Sequence, residues 1–214
     1  MLALRVKRGD ERLADRATVK HRLRSLLDPV VGALARLGVP PLAVTLAGLV
    51  LSLAAAAFIA RGSLRIGGVI LIVSGICDTL DGSLARRAGR ESVFGAFIDS
   101  TIDRITEIAV FGALVIHFSE HGTGSGLAVI ACLVAITGSF LTSYTRARAE
   151  GLGLACRVGW LERPERVALV VVGLLVGGTV LLVVLWFLAL FTMVTALQRV
   201  LHVRRLSAAK DHSA

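Results

Sequence analysis

Six apolar stretches occupy most of this chain between Pro41 and Val200, and their lengths leave little choice of fold. They run from Pro41 to Ala60, Ile66 to Ala85, Phe94 to Phe118, Leu127 to Tyr144, Val167 to Thr179 and Val180 to Val200. A helix needs about 20 apolar residues to cross a bilayer core, and within that core every backbone N–H and C=O must find a partner inside the structure. Continuous runs of this length are helices. The fifth stretch is short, and its helix is expected to begin near Pro164, where proline suits a first turn. With 55% hydrophobic and 18% charged residues in 214 positions, the chain reads as one all-α integral membrane unit of six transmembrane helices.

The basic residues orient this bundle. Residues 1–39 carry nine Lys and Arg, and further arginines fall at Arg86, Arg87 and Arg90, at Arg146, Arg148, Arg157, Arg163 and Arg166, and at Arg199, Arg204 and Arg205, followed by Lys210. The alternate links hold only Arg61 and Arg65. The positive-inside rule then places both termini in the cytoplasm of a multi-pass cell (inner) membrane protein. Because topology demands this basicity and spreads it over every cytoplasmic link, the net charge of +9 is no argument for nucleic-acid binding. No cleavable signal pattern precedes the first span. Residues 1–39 form a cytoplasmic N-terminus in which Val19, Leu23, Leu26, Leu27, Val30, Leu34 and Leu37 recur at helical spacing, with Lys20, Arg22, Arg24 and Arg36 on other faces. This predicts an interfacial juxtamembrane helix lying on the bilayer, restarted at Asp28-Pro29. Residues 40–206 form the membrane domain and 207–214 a polar tail. Cys77, Cys132 and Cys156 show no paired spacing and read as packing residues. The five histidines are scattered outside any constellation.

Against this apolar background stand Asp78, Asp81, Asp99 and Asp103, inside the second and third spans. Four unpaired acids at membrane depth would cost on the order of 10 kcal/mol, so something must offset them. Residues three or four apart share a helix face. Asp78 and Asp81 therefore project together, with Gly82 and Ala85 continuing their face, and Gly95, Asp99 and Asp103 form a second row. Small residues let helices approach or leave room for a ligand. Four carboxylates balance two divalent cations, and hard oxygen donors without His or Cys favour Mg²⁺, Mn²⁺ or Ca²⁺ over zinc. Metal-assisted phosphoryl transfer is the chemistry that follows, with Arg86 one turn beyond Gly82 as a phosphate contact. Ion pairing with Arg86, Arg87 and Arg104 is another home for the acids, and a cation channel or transporter a third, but neither gives Gly82, Ala85 and Arg86 a role.

The run Asp78-Thr-Leu-Asp81-Gly82-Ser-Leu-Ala85-Arg86, followed by Gly95, Asp99 and Asp103, resembles in full the signature of the CDP-alcohol phosphotransferases. The resemblance implies a six-helix bundle, usually a homodimer, preceded by a juxtamembrane helix. It further implies that Asp78, Asp81 and Asp99 ligate metal, that Asp103 is ligand and general base, and that Asp78, Gly82, Ala85, Arg86 and Gly95 receive the CDP moiety. Two Mg²⁺ ions, replaceable by Mn²⁺, are the expected cofactors. No Ser, Cys or His accompanies the acids, which favours direct displacement over a covalent intermediate.

Residues 143–166 resemble the prokaryotic phosphatidylinositol phosphate synthases, and Gln198-Arg199 is similar to their last helix. This implies CDP-diacylglycerol as donor and inositol 1-phosphate as acceptor; glycerol 3-phosphate or another alcohol is the alternative within the same fold. Arg146, Arg163, Arg166 and Arg199 suit a cationic cup for a phosphorylated acceptor. Ser143 is placed to hydrogen-bond either the acceptor or its own helix, and Glu162 and Glu165 to orient the neighbouring arginines. Arg146 stands where those enzymes commonly have lysine. The resemblance spans roughly residues 22–206.

Overall fold

The computed structural model describes residues 26–120, 126–156, 158–159 and 161–211; the expected start of the interfacial helix at Val19 and Lys20 lies outside them. Among the described residues there is no strand. Helix α1 (residues 26–36) is followed by α2 (Pro41–Ala60), α3 (Leu64–Arg87), α4 (Val93–Glu120), α5 (Gly126–Gly151), α6 (Arg163–Val176) and α7 (Gly178–Asp211). Residues 26–28 are already helical and α1 continues through Pro29, so the restart read at Asp28-Pro29 is not seen.

Helices α2, α3, α5 and α7 are long and apolar enough to cross a membrane. Asp99, Asp103, Arg104 and Glu107 dilute the apolar character of α4, and α6 has only 14 residues. Burial supports a lipid setting. On α7, Val183, Trp186, Leu190, Met193 and Leu197 face outward, while Thr192 and Thr195 are buried. A large apolar outer surface over a partly polar interior suits a bilayer, not water.

The residues group into two compact units. Residues 1–48 and 75–99 form the first, whose core joins Val31, Val44, Leu80 and Leu84. In it, α3 ends in a glycine cap. Gly89 adopts φ 61°, its N–H reaches the Arg86 carbonyl (3.3 Å), and the Arg90 N–H reaches that of Ala85 (2.9 Å). This paired closure requires a left-handed residue. Gly89→Ala is expected to cost about 1–2 kcal/mol, read as a lower thermal unfolding temperature of the purified protein; an unchanged temperature would contradict the cap.

Residues 49–74 and 100–214 form the second unit. Its core joins Ala55 and Ile59 of α2 with Val110 and Leu114 of α4, Ala131 and Ala135 of α5, Leu174 of α6, and Leu185 and Leu188 of α7. Helices α5 and α6 both pack on α7. Pro164 lies in the first turn of α6, as its sequence suggests, and Glu162 precedes that turn. Gly177 (φ 76°) separates α6 from α7, whose first residue is Gly178 (φ 52°).

Candidate active site

In the first unit, Asp78, Asp81, Gly82, Ala85 and Arg86 lie on the last turns of α3, and Gly95 and Asp99 on the first turns of α4. The start of α4 is fixed by Ser92, whose hydroxyl accepts the Gly95 N–H at 2.9 Å, a side-chain cap for a free backbone donor. Carboxylate oxygens of Asp78 and Asp99 come within 4.8 Å of one another. Asp103 follows Asp99 one turn along α4.

Asp81 sits one turn from Asp78 but outside that close grouping. It is only 6% exposed, and its Oδ2 has no hydrogen-bond partner. A buried carboxylate oxygen left unsatisfied is expensive. Together with the Asp78–Asp99 approach and the all-oxygen donor set, it fits a divalent cation. A Cβ at Gly82 would meet Arg86 Nη1 at 3.5 Å, an ordinary contact. The Arg86 guanidinium is exposed and donates to Ser83 Oγ at 3.2 Å.

In the second unit, Asp103 meets Arg163 at the start of α6: Arg163 Nη2 lies 2.7 Å from Asp103 Oδ1. Arg104 Nη2 is 3.9 Å from Asp103 Oδ2, and its Nη1 is 3.1 Å from Glu107 Oε2. Arg166 is turned to Glu107, with Nη2 and Nε 2.8 and 3.3 Å from Oε1. Ser139 of α5 donates to the same oxygen at 2.9 Å. Ser143 receives a hydrogen bond from Arg104 and donates to the Ser139 carbonyl of its own helix. In these pairs Arg163 and Arg166 are held by Asp103 and Glu107 of α4.

Arg146 and Arg199 line a cleft of about 290 Å³ together with Val158, Gly159 and Glu162. Arg146 pairs with Glu150 one turn on, at 2.9 Å, in an exposed position. Arg199 donates to the carbonyls of Val158 (2.8 Å) and Thr142, fixing the wall of the cleft. Gly159 has φ 134°, and a Cβ there would fall 2.6 Å from Thr195 Cγ2, so the wall tolerates only glycine. Of the residues expected to form an acceptor cup, Arg146 and Arg199 share this cleft, Arg163 faces Asp103, and Arg166 is sealed away on Glu107.

Sequence reasoning missed Glu107 and passed over the part Arg104 plays. The available signal was a glutamate inside an apolar span, which seldom occurs without a partner.

The sequence model of the CDP-alcohol phosphatidyltransferase family matches residues 39–203. Over 189 residues the chain is 37% identical to the archaetidylinositol phosphate synthase of Methanothermobacter thermautotrophicus, covering 85% of this chain and 90% of that protein. It is 37% identical over 198 residues to the phosphatidylinositol phosphate synthase of Streptomyces avermitilis, covering 87% and 81%. Among solved structures, it is similar to the crystal structure of Mycobacterium tuberculosis phosphatidylinositol phosphate synthase with CDP-DAG bound (TM-score 0.77, 36% identity, 82% of this chain and 92% of that one). The same enzyme in complex with manganese and citrate matches with a TM-score of 0.76 at 36% identity, covering 82% and 87%.

Proposed function

This chain belongs to the CDP-alcohol phosphatidyltransferase family, and from that premise we propose that it transfers the phosphatidyl group of CDP-diacylglycerol to inositol 1-phosphate, releasing CMP. It is a multi-pass membrane transferase of phospholipid synthesis that uses a divalent metal. The observation that carries the acceptor reading is the Asp103–Arg163 pair, a carboxylate and a guanidinium 2.7 Å apart. A phosphate held by Arg163 brings the rest of its molecule beside a proton acceptor. The named relatives add support: archaetidyl and phosphatidyl products differ in their lipid but share inositol phosphate.

Asp78, Asp81, Asp99 and Asp103 would hold the metal, for which two Mg²⁺ ions are assigned, with Mn²⁺ as a substitute. Bound there, the cations neutralise the diphosphate and the negative charge that builds on the departing CMP. Asp78, Gly82, Ala85 and Gly95 receive the nucleotide, and Arg86 contacts its phosphates. Asp103 takes the proton from the acceptor hydroxyl as the oxygen bonds to the lipid-bearing phosphorus. The bond from that phosphorus to CMP then breaks, with no covalent enzyme intermediate. Arg163 binds the acceptor's own phosphate, and Arg146, Arg199 and Ser143 complete the cup, with Arg166 behind it. The basic links place this mouth on the cytoplasmic side of the inner membrane, with both termini there and six spans in all. The juxtamembrane helix lies on the bilayer surface, and the active form is a homodimer.

The deciding experiment is CMP release by detergent-purified protein given CDP-diacylglycerol and Mg²⁺, with inositol 1-phosphate, glycerol 3-phosphate, serine and free inositol offered separately. Release with inositol 1-phosphate alone is the expected result. Release with glycerol 3-phosphate instead would reassign the acceptor, and release that survives EDTA would overturn the metal assignment. Arg163→Ala is expected to raise the KM for inositol 1-phosphate at least tenfold, on the order of the 1.5–3 kcal/mol of a charge-assisted contact, with little change for CDP-diacylglycerol. Unchanged acceptor kinetics would remove Arg163 from the cup.

A further inference from the structure

Helices α4 and α6 are joined by two ion-pair rungs. Asp103 meets Arg163 at 2.7 Å and Glu107 meets Arg166 at 2.8 Å. The carboxylates are four residues apart on α4 and the guanidiniums three apart on α6, so both rungs climb in the same direction and each fixes the other's register. The rungs differ in access. Side chains of the first are 13% and 21% exposed, those of the second 8% and 5%. The sealed rung is also the more heavily bonded: Glu107 accepts from Arg166, Arg104 and Ser139, while Arg166 also donates to the Leu161 carbonyl just before α6. Three helices and the lead-in to α6 thus converge on one carboxylate.

We propose that Glu107 is a positioning residue for the acceptor: through Arg166 it sets the register of α6 on α4, so that Arg163 stands beside Asp103. Arg166 then acts through Arg163 and does not touch the acceptor phosphate, since its guanidinium is turned to Glu107 and the Leu161 carbonyl and its side chain is only 5% exposed. The arrangement also biases the site electrically. Three guanidiniums, of Arg104, Arg163 and Arg166, gather around the carboxylates of Asp103 and Glu107, a setting that favours an incoming anion. With Glu107 holding two of the guanidiniums, Arg163 is the one at the more exposed rung, able to exchange its carboxylate partner for a phosphate. This proposal rests on the phosphorylated-acceptor reading above.

The test compares E107Q, E107D, R163A and E107Q/R163A in the purified full-length protein, scaled to the fraction that binds CDP-diacylglycerol. E107Q is expected to raise the acceptor KM at least about tenfold, with kcat and the KM for CDP-diacylglycerol changed less than about threefold. E107D, which keeps the charge but shortens its reach, should show a smaller rise in the same constant and carries the test if E107Q does not fold. In the R163A background, E107Q should add less than about twofold, because a residue that works through Arg163 has nothing left to position. A wild-type acceptor KM in E107Q and E107D overturns the proposal, as does full additivity with R163A. The constants are taken for whichever acceptor the wild type uses, so a wrong acceptor appears in the wild type and not as a failure of Glu107.

Discussion

Asp103→Asn is expected to retain CDP-diacylglycerol binding and to lower turnover by about 10²- to 10⁴-fold, the range that a positioned general base supplies. The side chains are nearly isosteric, and an amide oxygen can keep its place beside Arg163, which lies 2.7 Å from the carboxylate. What disappears is the negative charge that receives the proton. The loss should therefore fall on kcat, with the acceptor KM little changed, the reverse of the pattern expected for Arg163→Ala. Asp103 is also assigned to the metal, so the variant is titrated with Mg²⁺. Activity that returns at high Mg²⁺ would mean that the lost function was ligation, whereas activity that stays low at saturation supports the base. Wild-type turnover would remove Asp103 from the chemistry.

The second large effect concerns stability. At Gly138, α5 lies close against α7. A Cβ there would sit 2.9 Å from Thr192 Cβ and 3.0 Å from the Met193 backbone nitrogen, too close for either to yield by a rotamer change. The crossing is also stitched by the Thr142 hydroxyl, which donates to the Thr192 carbonyl at 3.1 Å, so the helices cannot part without breaking a buried bond. Overpacking of this kind costs about 1–3 kcal/mol, and Gly138→Ala is expected at the upper end. Thermal unfolding in detergent should begin about 5–10 °C lower, given roughly 2–4 °C per kcal/mol for a protein of this size. Gly112 of α4 is the control, since a Cβ there meets nothing within 4 Å. Gly112→Ala should leave stability unchanged or raise it through helix propensity. Equal effects at the two glycines would refute the close crossing.

Hydropathy located the helices well where apolar length and helix length coincide. Helix α2 spans Pro41–Ala60, as its sequence suggests. It fell short where a helix continues beyond the apolar layer. Helix α5 runs on from Tyr144 to Gly151, a stretch that includes the Arg146–Glu150 pair, and α7 runs on from Val200 to Asp211. Polar residues end an apolar run without ending a helix. The same distinction separates the two halves of the candidate site. Asp78 and Asp81, or Asp99 and Asp103, share faces through spacings of three and four, which any reader of the sequence can count. Glu107 and Arg166 are 59 positions apart, and their pairing depends on how α6 packs, which no local spacing encodes. The sequence therefore sets Arg166 beside Arg146, Arg163 and Arg199 in one cationic cup, although its side chain is 5% exposed and turned to Glu107.

At 14 residues, α6 is about 21 Å long, against a hydrocarbon layer about 30 Å thick. Set along the membrane normal with its C-terminal glycines at one face, a helix of that length would leave Arg163 roughly 9 Å short of the other. On the proposed reading, a water-soluble sugar phosphate would then descend below the membrane surface to meet a lipid that keeps its chains in place. The enzyme would lower the soluble partner to the membrane rather than lift the lipid out of it, and the new headgroup would be joined beneath the level at which it finally rests.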